Sequence, residues 1–212
     1  MVSTDRRSEA SGPAGAVIPS DGALRRAGAL VTAWFGMLWA LTGATALPAP
    51  LPVVIASVAL SVTCTIIALR ARPASRRRGL PDRWRARYRT IGIVQGVAIA
   101  LVVAVAVALA APGLIAPVVC LVVGLHFLPL ARVVDQPEYR LTGVALLVVG
   151  LAGVVVLVVA GPDAARALSG IGAAITLWVT SCVVARGSLP APGGDGTPGR
   201  TVRGAPKESA HP

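Results

Sequence analysis

The sequence predicts an all-α polytopic membrane protein, a bundle of six transmembrane helices with both termini in the cytoplasm. Its 212 residues are 55% hydrophobic and 14% charged, with a mean hydropathy of +0.74. Soluble domains are markedly less apolar. Apolar segments also recur at about the 20 residues needed to cross roughly 30 Å of hydrocarbon. The predicted spans are residues 27–47, 51–69, 91–111, 114–131, 141–160 and 167–185.

The valine-rich spans are predicted to be helices despite their strand propensity. The segment VVAVAVALAA at 102–111 is the clearest case. An isolated strand would leave its N–H and C=O groups unpaired in hydrocarbon, whereas a helix pairs them internally. Strands of a membrane barrel would alternate polar with apolar residues, and these segments do not.

The basic residues predict the orientation of the bundle. Of the 20 lysines and arginines, nineteen precede the first span, follow the sixth, or lie between spans two and three or spans four and five. Arg166 is the only basic residue in the other three connections. Because positive charge is enriched on the cytoplasmic side, we expect both termini and the basic loop 70–89 to be cytoplasmic, in a bacterial-type cell membrane.

The basic loop 70–89 has two roles open to it. The first is to set topology, and the second is to bind anionic lipid headgroups. Binding to an anionic leaflet is stabilised by roughly 1 kcal/mol for each arginine near the surface. A nucleic-acid partner is not expected, since the loop is short and Trp84 and Tyr88 are its only aromatic residues.

The chain is predicted to hold one folded domain, residues 24–186, between two disordered cytoplasmic tails, residues 1–23 and 187–212. Both tails are rich in small, polar and turn-forming residues and have no periodic apolar face. Arg25 and Arg26, the apolar run after them and the Ala44-Thr45-Ala46 segment also resemble a cleaved signal peptide. That run is long for a signal peptide, so we expect the first span to be retained.

Small residues at four-residue spacing predict close helix packing. Gly92 and Gly96 form one such pair, and Gly36, Ala40 and Ala44 form a second stripe. Such positions allow two helix backbones to approach each other in a membrane.

No sequence pattern predicts catalysis, a cofactor or a metal. Cys64, Cys120 and Cys182 belong to no metal-ligand spacing and are expected to pack as small apolar side chains. The chain has no GxSxG, HExxH or P-loop motif, and none of the predicted spans contains an acidic residue. We therefore expect no catalytic residue, no cofactor and no bound metal.

The candidate site is centred on His126, in the segment GLHFLPLAR at 124–132. Six residues inward from the nearest inner arginine, about 9 Å along a helix, five spans place a hydrogen-bonding or thiol side chain: Thr32, Cys64, Gln95, His126 and Thr180. Since spans three and four form a hairpin, we expect Gln95 to lie beside His126.

Two interpretations of this site remain open. In the first, the Gln95 amide and the neutral imidazole simply hydrogen-bond each other. In the second, His126 and Gln95 line an inward-facing polar pocket whose mouth is covered by Asp135, Glu138 and Tyr139. The same acidic residues could instead pair with Arg132 and Arg140 at the surface.

The segments GLHFLPLAR and PEYRLTG, the latter at 137–143, together resemble an uncharacterised family of small bacterial multi-pass membrane proteins. That family shares a G-[LI]-H-F-[LI]-P-[LM]-A segment and a downstream Tyr-x-x-Thr-Gly. The resemblance covers residues 114–160 and implies no activity. It does imply seven positions to test: Gly124, His126, Phe127, Pro129, Tyr139, Thr142 and Gly143.

The first functional expectation is therefore a non-enzymatic membrane protein that packs with a membrane-protein partner or a second copy of itself, or that senses its membrane. A small-solute permease or exporter with an inward-facing pocket at His126 is the first alternative. An intramembrane enzyme or cofactor binder that uses His126 is the second.

Overall fold

The computed structural model describes residues 21–71, 84–134 and 136–187. A short 3-10 helix, Pro112–Leu114, accompanies six long helices: α1 (Asp21–Ala44), α2 (Pro50–Arg70), α3 (Trp84–Ala108), α4 (Ile115–Val133), α5 (Glu138–Ala160) and α6 (Pro162–Arg186). Each long helix is long and apolar enough to cross a membrane. The predicted all-α fold with six transmembrane helices is confirmed.

Several helices begin earlier than the predicted spans because polar residues continue the helix past the apolar segment. α1 begins at Asp21, α3 at Trp84 and α5 at Glu138. Long arginine side chains tolerate this position, since the head reaches water while the stem covers apolar surface. Residues 84–89 of the predicted basic loop are thus helical. The rest of that loop, residues 72–83, and the tails 1–20 and 188–212 lie outside the described residues.

The centre of the bundle is α6, which packs along α1 and α5 and also contacts α2 and α4. α4 packs along α5, and α2 packs on α1. α3 is peripheral: its extended contacts are with α4 and the 3-10 helix. Half of the α6 span is buried inside the protein, compared with 6% of the α3 span. α3 therefore covers one side of α4 and packs on little else in the bundle.

Glycines and alanines allow the central helices to approach closely, as small residues do in membranes. A Cβ atom on Gly170 of α6 would lie 2.5 Å from the Cα atom of Gly43 on α1. The predicted stripe on α1 also packs, since Gly36 faces the Trp178 indole and Ala40 and Ala44 are buried. The α1–α6 contact thus depends on positions without large side chains.

The prediction for the other pair was wrong within the described part of the chain. A Cβ atom on Gly92 or on Gly96 would meet no atom within 4 Å. Both glycines lie on α3, whose extended contacts among the described elements are with α4 and the 3-10 helix. A small residue allows a close approach but does not supply the partner helix.

Hydroxyl and indole groups join the helices at the core of the bundle. The Ser181 hydroxyl of α6 donates to the Ala29 carbonyl of α1 at 2.7 Å, and the Thr142 and Thr180 hydroxyls lie 2.7 Å apart between α5 and α6. The Trp178 indole donates to the Ser61 hydroxyl of α2 at 2.9 Å. Such bonds contribute about 0.6 kcal/mol each in membrane proteins.

The outer surface of the bundle is apolar. Val158 and Val159 of α5 are 83% and 81% exposed, and Leu101 and Val107 of α3 are exposed as well. A protein surrounded by water would have to leave these side chains hydrated, whereas lipid tails solvate them without penalty. This surface belongs to a multi-pass membrane protein.

Candidate functional site

A cavity of about 600 Å³ lies between α1 and α3, backed by α4 and α6. α1 contributes positions at helical spacing from Leu24 to Phe35. α4, together with the residue that follows it, contributes the matching stripe from Val123 to Val134. Each stripe spans twelve residues, and its two ends lie about 16 Å apart along the helix. The cavity is therefore a slot parallel to the helices, roughly half as long as a membrane span.

The slot opens sideways because α1 and α3 do not pack along each other. The side chains of Val31 and Phe35 on α1 line the cavity and are also 54% and 48% exposed. Gly92 lines the opposite edge on α3, where nothing fills the space beside it. In a membrane, this opening faces lipid tails.

His126 and Gln95 line the same cavity, together with Thr32. Three of the five residues predicted at one depth thus meet here, on α4, α3 and α1. The Thr32 hydroxyl donates to the Gly28 and Ala29 carbonyls of its own helix, at 3.0 and 3.1 Å. Cys64 and Thr180 lie elsewhere, in contacts of α2 and α5 with α6.

The expected hydrogen bond between the Gln95 amide and the His126 imidazole is not formed through the Nδ1 atom. Nδ1 is buried and has no hydrogen-bond partner, and the backbone of Ile91 on α3 lies beside the imidazole. Ile91 precedes Gln95 by about one helical turn, so the ring meets the α3 backbone at a different level from the amide. The two side chains share a cavity rather than satisfying each other.

Tyr139 and Gln136 line the end of the cavity that is nearest the start of α1. Tyr139 is 5% exposed, its ring packs against that of Phe127 with centroids 5.6 Å apart, and its hydroxyl lies where a Cβ atom on Gly28 would be. Gln136 is 2% exposed and its Oε1 atom has no hydrogen-bond partner. These two residues provide polar groups close to the membrane interface.

Glu138 is part of a buried ion pair rather than a cover for the cavity. It lies in the first turn of α5, and the Arg25 guanidinium of α1 donates to its Oε1 atom at 3.3 Å. The two side chains are 9% and 2% exposed. Arg132 and Arg140, the partners considered from the sequence, are exposed. Asp135, which was also predicted to cover the mouth, lies outside the described residues.

The two segments that carry the family resemblance pack against each other. A Cβ atom on Gly124 of α4 would lie 2.9 Å from the Gly143 carbonyl oxygen of α5, and one on Gly143 would lie 2.8 Å from the Gly124 carbonyl oxygen. The His126 and Phe127 rings lie edge to face with centroids 5.8 Å apart. The motif therefore forms the α4–α5 contact that positions His126 and Tyr139, whereas Pro129 is exposed.

The cysteines pack as the sequence predicted. The Cys120 thiol donates to the Leu146 carbonyl at 3.3 Å, and the Cys64 and Cys182 sulfur atoms lie 3.6 Å apart between α2 and α6. None of the three lines the cavity. Over residues 21–71, 84–134 and 136–187, no group of three metal-ligating side chains comes together.

Sequence reasoning missed Arg25, Gly28 and Gln136. Arg25 was considered only as a topology signal and as part of a possible signal peptide, because its partner is 113 residues away. The spacing of Leu24, Gly28, Thr32 and Phe35 at nearly four residues was a usable signal for one face of α1. It does not show which helix that face meets.

Comparison with protein-family models, with curated proteins and with solved structures found no match. The resemblance of the His126 segment to small membrane proteins therefore stays a prediction.

Proposed function

We propose that this protein is a non-enzymatic membrane protein that binds a small, mainly apolar molecule taken up from the lipid bilayer. The observation that carries this proposal is the cavity between α1 and α3, which opens toward the surrounding lipid. Binding of a membrane-dissolved molecule is one form of the membrane sensing that the sequence led us to expect.

The size and lining of the cavity support a binding role. Small-molecule sites in proteins typically measure about 300 to 1,000 Å³ and are mostly apolar with a few placed polar groups. This cavity, at about 600 Å³, combines Leu24, Val31, Phe35, Val123 and Leu130 with a few amide, hydroxyl and imidazole groups. A bound molecule would displace lipid tails, or fill empty space, along the exposed edge of α1.

The arrangement of the lining favours binding over chemistry. Covalent and acid–base catalysis use a nucleophile and a base, or two carboxylates, held within hydrogen-bonding distance of each other. The titratable groups in the described lining are His126, Tyr139 and Tyr88. Tyr88 lies on α3, about two helical turns before Gln95. Among the described residues, the Nδ1 atom of His126 has no hydrogen-bond partner, and no carboxylate is among the lining residues.

We propose that the protein lies in a cell membrane with both termini in the cytoplasm. Exposed arginines cluster at the end of the bundle where α1 begins and α6 ends: Arg26, Arg70, Arg87, Arg89, Arg132, Arg140 and Arg186. Arg166 lies near the opposite end, where it pairs with Asp163. The positive-inside rule then gives the orientation, and the exposed arginines would contact anionic headgroups.

This orientation predicts the behaviour of alkaline phosphatase fusions. The enzyme needs disulfides that form outside the cytoplasm. A fusion after Gly187 is therefore expected to be inactive, and a fusion after Gly161, between α5 and α6, is expected to be active. Activity of the fusion after Gly187 would contradict the proposed orientation.

Filling the cavity is expected to abolish binding. Gly92 lines the cavity, and a side chain there meets no atom within 4 Å, so the aromatic ring introduced by Gly92→Phe would occupy the slot without a clash. The probe is a long-chain alcohol carrying a photoreactive diazirine on its chain, added to the protein in lipid nanodiscs. We expect labelled peptides from the cavity faces of α1 and α4 in the wild type and at least about tenfold less labelling in Gly92→Phe, since the variant leaves no room for the chain.

Gly96→Phe is the matched control. Gly96 lies one turn further along α3, is equally unobstructed, and does not line the cavity. We expect Gly96→Phe to be labelled as strongly as the wild type, and thermal unfolding in detergent checks that both variants are folded. Equal labelling of the cavity faces in wild type and Gly92→Phe would refute the proposed function.

A further inference from the structure

The cavity lining carries no formal charge in the described residues. No aspartate, glutamate, lysine or arginine is among the residues that line it. Arg25 and Glu138, which adjoin the lining residues Leu24 and Tyr139 in the chain, form an ion pair whose side chains are 9% and 2% exposed. A charged molecule in the slot would therefore find no counter-charge.

The lining does offer neutral hydrogen-bonding groups at two levels. Tyr139 and Gln136 lie at the interfacial end, and His126 and Gln95 lie deeper. Val134, which adjoins the outer pair, lies eight positions after His126. At about 1.5 Å per residue, the two levels are about 12 Å apart. A phenol and an amide each both donate and accept hydrogen bonds.

Among the described residues, one polar atom at the outer level is buried without a hydrogen-bond partner. The Gln136 Oε1 atom is buried without a partner in a residue that is 2% exposed. The Tyr139 hydroxyl lies beside Gly28 on the cavity wall. Buried polar groups are almost always hydrogen-bonded in folded proteins. A bound ligand would supply the hydrogen bond that is missing at the outer level.

We infer that the molecule bound here is an uncharged amphiphile, with an apolar chain or ring system and a hydroxyl or amide head. The head lies beside Tyr139 and Gln136, at the membrane interface, and the body extends along Val31, Phe35 and Val123. The opening between α1 and α3 lets such a molecule slide in from the bilayer without crossing the ion pair. This inference rests on the proposed function and names the class of ligand.

The inference predicts selectivity for head groups of equal chain length. Placing an uncompensated charge inside a membrane protein is costly enough to weaken binding at least about tenfold. The probes are a long-chain alcohol, a carboxylate, a quaternary ammonium and an alkane, each with the same diazirine on the chain. Each is added to the wild-type protein in nanodiscs at the same ratio of probe to lipid, and labelling of the α1 and α4 cavity faces is quantified.

We expect the alcohol to label the cavity at least about tenfold more strongly than either charged probe. Tyr139→Phe removes one hydroxyl and no ring volume, so it should lower labelling by the alcohol about two- to tenfold and leave labelling by the alkane unchanged. A merely structural role for Tyr139 would lower both equally. That result would overturn the placement of the head group.

The outcomes separate this inference from the proposed function. If the charged probes label the cavity as strongly as the alcohol and Gly92→Phe blocks all of them, the cavity binds ligands but the uncharged class is wrong. The same holds if the alkane equals the alcohol. If no probe labels the cavity in a manner sensitive to Gly92→Phe, the proposed function itself fails.

Discussion

Replacing Arg25 by alanine is expected to lower the free energy of unfolding by about 3 to 5 kcal/mol, the cost of removing one partner from a buried ion pair. Arg25 and Glu138 join the first turns of α1 and α5 at 3.3 Å, and their side chains are 9% and 2% exposed. Without the guanidinium, the Glu138 carboxylate loses its Oε1 partner, and its Oε2 atom already has none. Unfolding by SDS titration in mild detergent measures the loss.

Arg26→Ala is the matched control for this experiment. Arg26 is the next residue in α1 and has the same charge, but it is exposed. Its removal should change stability by no more than about 0.5 kcal/mol. The double variant Arg25→Ala/Glu138→Ala should be more stable than the sum of the two single changes predicts, since neither charge is then left buried alone. Equal effects of Arg25→Ala and Arg26→Ala would show that the pair does not stabilise the fold.

Gly170→Ala is expected to lower the free energy of unfolding by about 1 to 3 kcal/mol, the usual cost of overpacking a close contact. The added Cβ atom would lie 2.5 Å from the Gly43 Cα atom and 2.8 Å from the Trp39 carbonyl oxygen. Both are backbone atoms, so no side chain can rotate away. α1 would have to move off α6 and loosen the bond from Ser181 to Ala29.

Gly96→Ala provides the comparison, because it adds the same methyl group where nothing lies within 4 Å. It should leave stability unchanged or raise it by up to about 1 kcal/mol, since alanine favours a helix over glycine. SDS titration of both variants under one set of conditions tests the difference. Equal stabilities would contradict the close α1–α6 contact.

The number and kind of helices follow directly from the sequence, but their ends do not. Hydrocarbon requires about 20 apolar residues in helical form, so the six apolar runs predicted the six helices. The beginning of α5 at Glu138 was not predictable in this way. Glu138 is buried in the first turn of α5 against Arg25, which lies 113 residues earlier in the chain.

The candidate site was partly predictable. Depth along a helix can be counted from flanking arginines, and this count brought His126, Gln95 and Thr32 to one level, where they line one cavity. The direction in which each side chain points cannot be counted, because it depends on how each helix is rotated against its neighbours. Cys64 and Thr180 have the same depth and face other contacts.

The amino-acid sequence alone therefore determined the class of protein, the six spans and the segment around His126, because these depend on the transfer of each residue between water and lipid. Tertiary structure decided the features on which the proposed function and the stability of the bundle depend: the separation of α1 from α3, the pairing of Arg25 with Glu138, and the open space beside Gly92. These arise because α1 packs on α6 while α3 packs on α4, and the gap between the two pairs forms the cavity. Helix packing in lipid is decided by shape and hydrogen bonding between surfaces, which meet only when the bundle assembles.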